Sequence, residues 1–542
     1  MRKTLLYIFL VLLFSNCRNK EQNTTSMNAE AMNPLSSQDP KVTLSPDERY
    51  GELFDSVMVN HVFEDSKTFL DLTPATPTDQ VLSFFKNERK KPDFNWQVFI
   101  NQAFTQAKRD SLAFESNTSI SIESHINSLW SLLMRPADSA TLGSILPIPK
   151  PYIASSGQSR ELIYADAYFI MLGLQAARRI DMIENMVENF AHLINTEGYV
   201  PNGNRTYLTS RSNPPYFACM VQLLADEKGK DVLMKYLPQL EKEYSFWMKD
   251  AENPAPKDLK LHGHVVQVDR NTLNRYYSPK EKPRPESYFF DKTIAQTSIR
   301  PHAETYKHIR SAAESSWNFS SRWFEDTKTI NTINTSDIIP VDLNALLYNL
   351  EMTISKAKIV GKKYDEATEW EKKASRRREA LMRYCWAESK GMFFDFNIQK
   401  YKQTGVVSAA AAFPLFFKML SKRDADRVVM NIQQNLLFNG GIATTNFESG
   451  QSWDAPFGFA PLQWITIKGL RNYGYEELAN DIKERWVNLN VNVYKNTGKL
   501  LEKYNVRDLN DITGGGSYPT QDGYGWTNGV LLKLLREKRT GY

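Results

Sequence analysis

Six short stretches combine carboxylates, arginines, amides and tryptophans. They are Arg160-Glu161 with Asp166; Asn202-Gly203-Asn204-Arg205 with Arg211 and Asn213; Arg284-Pro285-Glu286; the run from Glu314 to Trp323; Trp453-Asp454; and Glu502-Lys503-Tyr504. This is the donor set of a carbohydrate site. Sugar hydroxyls take paired hydrogen bonds from Asp, Glu, Asn and Arg, and the apolar face of the ring lies on Trp or Tyr. Glycoside cleavage adds two carboxyl groups, one acid and one base. Each stretch taken singly reads as a surface salt bridge or a helix cap; their joint occurrence on separate loops points to a site.

Competing chemistries find less support. His262-Gly-His264 lacks a third nearby ligand at metal-site spacing, so no metal is expected. Gly514-Gly515-Gly516-Ser517 lacks the lysine ending of a phosphate loop, and no G-x-S-x-G nucleophile elbow occurs. Lys372-Lys373 and Arg376-Arg377-Arg378, beside Glu369, Glu371 and Glu379, read as a solvated helix face. A net charge of +5 over 542 residues is too weak a bias to imply a nucleic-acid partner.

The elements that must position these loops are helices. Ile180, Ile183, Val187, Phe190 and Ile194 fall on one helical face, as do Leu343, Leu346, Leu347, Leu350 and Ile354. Further helices are predicted over 95–110, 121–135, 229–248, 364–386, 424–437 and 476–495. Continuous β-alternation is scarce, and loops dense in Gly, Pro and Asn lie between the helices. The reading is one large all-α domain with long functional loops. Of the three cysteines, only Cys219 and Cys385 are placed to form an internal bridge, which excludes a disulfide scaffold.

The N-terminus reads as a signal. Arg2-Lys3 precede an apolar run from Leu5 to Phe14, then Ser15-Asn16-Cys17. A cysteine at this place resembles a bacterial lipoprotein processing site, with Asn16 a departure from the usual small residue. On that reading Cys17 carries lipid, and the protein is exported to the periplasm or outer membrane and anchored there. An ordinary signal peptide cut nearby is the alternative. The expected organisation is a signal over 1–17, a flexible tether over 18–60 and the folded domain over 61–542.

Longer motifs then identify a resemblance. They are V-P-N-G-N-R-T-Y-L-T-S-R-S-N-P-P (200–215), K-P-R-P-E-S-Y (282–288), R-S-A-A-E-S-S-W-N-F-S-S-R-W (310–323), P-V-D-L-N-A-L-L-Y (340–348), Q-S-W-D-A-P-F-G-F-A-P-L-Q-W (451–464), L-E-K-Y-N-V (501–506) and G-G-G-S-Y-P-T-Q-D-G-Y-G-W-T-N-G-V (514–530). In this order they resemble the trehalase family of inverting glycoside hydrolases. The resemblance implies an (α/α)6 barrel, a six-hairpin toroid, acting as a monomer. It also implies cleavage of α,α-trehalose, or another small α-glucoside, without metal or cofactor.

Carried over by position, the resemblance makes Glu502 the general base. It makes Asp166, Asn202, Arg211, Arg284, Glu286 and Trp453 sugar-contacting, with Asn213 where the family usually has Gln. Departures gather at the same site. The family's catalytic acid is an Asp, and this chain has Asn318; the Gly two residues before it is Ser316. In the first signature Gln158 replaces Arg, Ser159 replaces Phe and Ala165 replaces Trp. Phe457 and Phe459 replace Asn and Trp, and Ser517 replaces a sugar-contacting Glu. An amide has no proton to give a departing glycosidic oxygen, so hydrolysis is expected to be impaired. Glu314 is the nearest other carboxylate and reads as a helix-surface charge. Two readings remain: an exported trehalase-type hydrolase, or a non-catalytic sugar-binding lipoprotein on the same scaffold. A ligand-free scaffold fits less well, because so many site residues remain.

Overall fold

The computed structural model describes residues 43–105, 117–157, 160–511 and 523–537. Cys17, Gln158 and Ser517 lie outside them.

Five short helices begin the described chain: α1 (Pro46–Tyr50), α2 (Glu52–Val59), α3 (Thr68–Asp71), α4 (Thr78–Glu88) and α5 (Trp96–Ala103). Tyr50, Leu53, Phe54, Val57 and Met58 are buried in one apolar cluster with Phe69, Phe85 and Phe99. The flexible tether expected over 18–60 is therefore corrected at its C-terminal end. Residues 46–59 bury an amphipathic face, and folding starts well before residue 61. The helix expected over 95–110 ends at Ala103.

Twelve further helices then alternate between an outer and an inner position. The outer helices are α6 (Ile122–Leu133), α8 (Ile180–Glu197), α11 (Leu237–Trp247), α15 (Tyr364–Cys385), α17 (Lys422–Asn435) and α19 (Glu476–Thr497). The inner ones are α7 (Tyr164–Ala176), α9 (Phe217–Lys228), α14 (Val341–Val360), α16 (Ala412–Phe416), α18 (Ala460–Asn472) and α20 (Gly525–Arg536). Each inner helix packs on the next, and α20 packs back on α7, so the ring closes. This is the expected all-α six-hairpin toroid. Three further helices decorate it: α10 (Asp231–Lys235), α12 (Tyr288–Thr297) and α13 (His302–Glu314). The predicted helix 229–248 is split, because Pro238 begins α11 and cannot continue α10.

Burial separates the two layers. Every residue of α7 from Tyr164 to Leu174 is buried, as a helix wrapped on all sides requires. Outer α17 buries only Ala425, Val428, Val429 and Ile432, a single stripe. Closure depends on glycine at the α7–α20 crossing. A Cβ at Gly529 would stand 2.0 Å from the carbonyl oxygen of Phe169, and one at Gly173 would stand 2.5 Å from Gly529 Cα. Only hydrogen fits there.

Strands are short. The largest sheets have three strands, such as Lys260–His262, Val265–Val268 and Asn271–Asn274, all antiparallel. Cys219 and Cys385 are free and buried. The basic run on α15 is only partly a solvated face: Arg377 is buried and paired with Glu351 at 2.9 Å.

One buried carboxyl ties three barrel helices together. Glu243 of α11 accepts the Tyr164 hydroxyl of α7 at 2.5 Å, and that oxygen accepts the Phe217 N–H of α9 at 2.7 Å. Burial pushes the Glu243 carboxyl up to about 8 from 4.5. The folded state therefore holds a proton that the unfolded chain releases at lower pH. The stability carried by this group is full below about 4.5 and is lost as pH rises to about 8. Glu243→Gln cannot ionise and still accepts from Tyr164. Its Tm should vary less between pH 5 and pH 8 than that of wild type; parallel profiles would refute this.

Candidate active site

The functional loops converge at one end of the barrel, where outer helices hand the chain to inner ones. Asp166 stands in the first turn of α7, Arg211 and Asn213 just before α9, and Asn318 between α13 and α14. Trp453 precedes α18, and Glu502 precedes α20. These side chains line one cavity of about 280 Å³ together with Asn202, Arg284, Glu286 and Ser316. Twelve residues singled out from sequence, Glu161 and Ala165 included, thus share a pocket. Sequence reasoning missed Lys67, Tyr207, Leu208, Ser287, Ala313, Tyr524 and Trp526, which also line it. Tyr207, Leu208, Ser287, Ala313, Tyr524 and Trp526 lie within the quoted motifs, whereas Lys67 had no signal beyond its type.

One wall is a buried cluster of charges. Arg211 Nη2 donates to Glu286 Oε1 at 2.6 Å. Arg284 donates to Asp291 through its backbone N–H, Nε and Nη2, the last at 2.7 Å. Burial works to raise the Glu286 carboxyl, but Arg211, Arg284 and Arg310 together hold it below its ordinary value. Arg211 Nε and Nη1, Glu286 Oε2 and Asn213 Oδ1 are buried without a hydrogen-bond partner among the described residues. Leaving such groups unpaired costs about 1–3 kcal/mol each, more when charged. The wall thus presents donors and acceptors for a polyhydroxylated guest.

Glu502 and Asp166 line the same cavity. Glu502 is 9% exposed, and its strand Lys503–Asn505 pairs antiparallel with Phe457–Phe459. Trp526 Nε1 donates to the Glu502 carbonyl at 2.9 Å, fixing the backbone. Burial, reinforced by the charge on Glu502, pushes the Asp166 carboxyl up to about 7, and the Tyr524 hydroxyl partly offsets this. Trp453 lies parallel to Phe459 at 3.8 Å and meets Trp526 edge-on. Its face is partly taken by Phe459, so it is less open a sugar platform than sequence alone implied.

The loop bearing Asn318 is held from below. Asp454 accepts Ser320 Oγ, Ser321 N, Ser321 Oγ and Thr445 Oγ1 at 2.7–3.0 Å. Arg322 is fully buried between Trp317 and Trp323, with ring centroids at 4.2 and 4.4 Å, and binds both Asp342 and Asp395. Asn318 itself is exposed and lines the pocket. Glu314 is not the surface charge read from sequence. It is wholly buried, accepting the Ser212 and Tyr277 backbone N–H groups at 2.9 and 2.8 Å and contacting His264 Nε2 at 3.0 Å. Its place at the end of α13 turns it away from solvent and into these donors. His264 is thereby a structural partner, and no cluster suited to a metal ion occurs among the described residues.

The trehalase family model matches residues 61–538. The chain belongs to the trehalase family. It is 42% identical over 493 residues to the periplasmic trehalase of Citrobacter koseri, covering 90% of this chain and 86% of that one. It is 41% identical to the periplasmic trehalase of Pseudomonas aeruginosa, covering 91% and 90%. Its fold is similar to that of the neutral trehalase Nth1 from Saccharomyces cerevisiae, with a TM-score of 0.59 and 24% identity over 77% of this chain and 80% of that one.

Against the trehalase-family motif, Ser316 stands where glycine is usual, and here it has φ 59°. That conformation costs a residue with a Cβ about 1–2 kcal/mol. Glycine would recover this, less about 0.4–1 kcal/mol of extra chain entropy lost on folding. Ser316→Gly should therefore raise stability by as much as about 1.6 kcal/mol. A lowered denaturation midpoint would refute the strain.

Proposed function

We propose that this trehalase-family protein binds α,α-trehalose or a related small α-glucoside in the pocket, and that it hydrolyses the glycosidic bond slowly. The observation that carries the reading is the pairing of two features. Buried, unpartnered polar atoms of Arg211, Glu286 and Asn213 face the cavity, while the residue at the acid position is Asn318. In this reading Arg211, Arg284, Glu286, Asn202 and Asn213 hold one sugar. Asp166, Trp453 and Ser316 border the other, with Gln158 and Ser517 assigned to the site by the family motifs alone. Glu502 is the base that activates water on the face opposite the leaving group. No metal or cofactor enters the scheme.

The engagement of Glu314 favours the second reading, a sugar-binding protein without turnover. Its carboxylate is committed to Ser212, Tyr277 and His264, so it does not stand in as the acid. Export is supported by the signal-like N-terminus and by relatives named as periplasmic. Lipid attachment at Cys17 and the monomeric state are parts of the same proposal.

Isothermal titration of the protein with α,α-trehalose tests binding, and glucose release tests turnover. Binding with little or no glucose supports the proposal. Arg211→Ala should weaken binding at least tenfold, because it strands Glu286 in a buried wall. No binding of any glucoside at millimolar concentration would refute it.

A further inference from the structure

The turn at residues 65–71, ahead of and including α3, is tied to two segments that line the pocket, one through Phe289 beside Ser287 and one through Tyr207. At one end Ser66 Oγ accepts the Phe289 N–H at 3.2 Å, two residues beyond pocket-lining Ser287. The neighbouring α2 and its C-terminal flank reinforce that end: Phe54 packs edge-on against Tyr288, and His61 stacks on Phe289 at 4.4 Å. At the other end Asp71 Oδ1 accepts the Tyr207 hydroxyl at 2.9 Å, and the Leu70 carbonyl accepts Ser144 Oγ at 2.7 Å. Asp65 closes the turn itself by accepting the Lys67 and Thr68 N–H groups at 2.7 Å. A strap so tied at both ends is fixed in place.

Lys67 sits in the middle of this strap and lines the cavity. Its ammonium bonds Asp71 Oδ2 at 2.5 Å and Glu161 Oε1 at 3.0 Å. Burial opposes its charge, but Glu161 and Asp71 outweigh that and hold the amine above its ordinary range. An ammonium has three protons, and these two carboxylates occupy two. Arg205 Nε also binds Glu161 at 3.0 Å, and Arg205 Nη1 is 3.6 Å from Asp71. Two cations thus face two carboxylates, and the local charge is balanced.

We infer that Lys67 is a ligand-contacting, specificity-determining residue, which donates its third proton to a hydroxyl of a neutral sugar bound in the pocket. This rests on the sugar-binding reading above and adds the N-terminal strap to the site. The balanced charge is what selects a neutral guest: an added phosphate or carboxylate would meet Asp71 and Glu161 along with the ammonium. The donor is fixed by two ion pairs before the sugar arrives, so little ordering cost falls on binding.

The test is isothermal titration of wild type, Lys67→Met and Lys67→Arg with α,α-trehalose and with its 6-phosphate ester. Lys67→Met keeps the stem and removes the ammonium, so trehalose affinity should fall about tenfold or more. Wild type should bind the 6-phosphate no more tightly than trehalose. Lys67→Arg keeps the ion pairs but moves the donor, because a planar fork does not occupy the position of a compact ammonium. It should lose affinity with Tm unchanged, and it serves if the methionine variant fails to fold. Undiminished trehalose affinity in the folded variants would overturn the inference and leave the function standing. A 6-phosphate bound more than tenfold tighter would overturn the neutral-guest assignment. Wild type that binds neither sugar would remove the sugar-binding reading itself, and the inference with it.

Discussion

Asn318→Asp should release glucose from α,α-trehalose at least about 10²-fold faster than wild type, the lower end of what a positioned general acid contributes. In the proposed scheme Glu502 activates water, and Asn318 has no proton for the departing sugar oxygen. The gain should be incomplete, because Ala165, Ser316, Gln158 and Ser517 stay as they are and orientation is a separate contribution. It should also be acid-shifted. Residue 318 is exposed, so an aspartate there has the ordinary carboxylate pKa of about 4 and is mostly ionised at pH 7. Activity of the variant should therefore rise as pH falls from 7 toward 5, for as long as Glu502 stays ionised. α-Glucosyl fluoride separates the two roles, since fluoride departs without protonation. Wild type should hydrolyse it faster than trehalose, and Glu502→Gln should abolish that activity. Efficient wild-type turnover of trehalose, or an Asn318→Asp rate equal to wild type, would defeat the assignment.

Arg322→Met should cost about 3–5 kcal/mol of stability, enough to collapse soluble yield or lower Tm by many degrees. Arg322 is fully buried and is the shared cation for Asp342 and Asp395, whose oxygens lie 2.8–3.3 Å from its nitrogens. Removing it leaves two carboxylates in the interior. Asp395 also accepts the Val341 N–H at the start of α14, and Arg322 is packed between two tryptophans of the 316–323 loop. The loss should therefore reach the pocket. Lys at 322 should recover only part of the stability, because one ammonium does not reproduce a double fork. A Tm within a degree of wild type would show that the cluster is dispensable.

The sequence alone determined the helical architecture and the list of loops that build the site. Its helices carry their own signal: Val428, Val429 and Ile432 repeat at helical spacing, so an outer helix is legible from the order of residues. The site residues were legible because their types, in long ordered motifs, are uncommon outside such sites. Closure of the ring was not legible, since it depends on Gly173 meeting Gly529, more than 350 residues away, with no room for a Cβ. Glu314 and Asn318 show the same divide at the pocket. Glu314 is the carboxylate nearest to the acid position in sequence, four residues before it, and there it reads as a helix-surface charge. Tertiary packing buries one against Ser212, Tyr277 and His264 and leaves the other open to the cavity. Lys67 had no readable signal because its partners define it, and Glu161, 94 residues away in sequence, reaches it only in the folded chain. Burial and charge pairing are properties of the assembled neighbours, and no single segment encodes them.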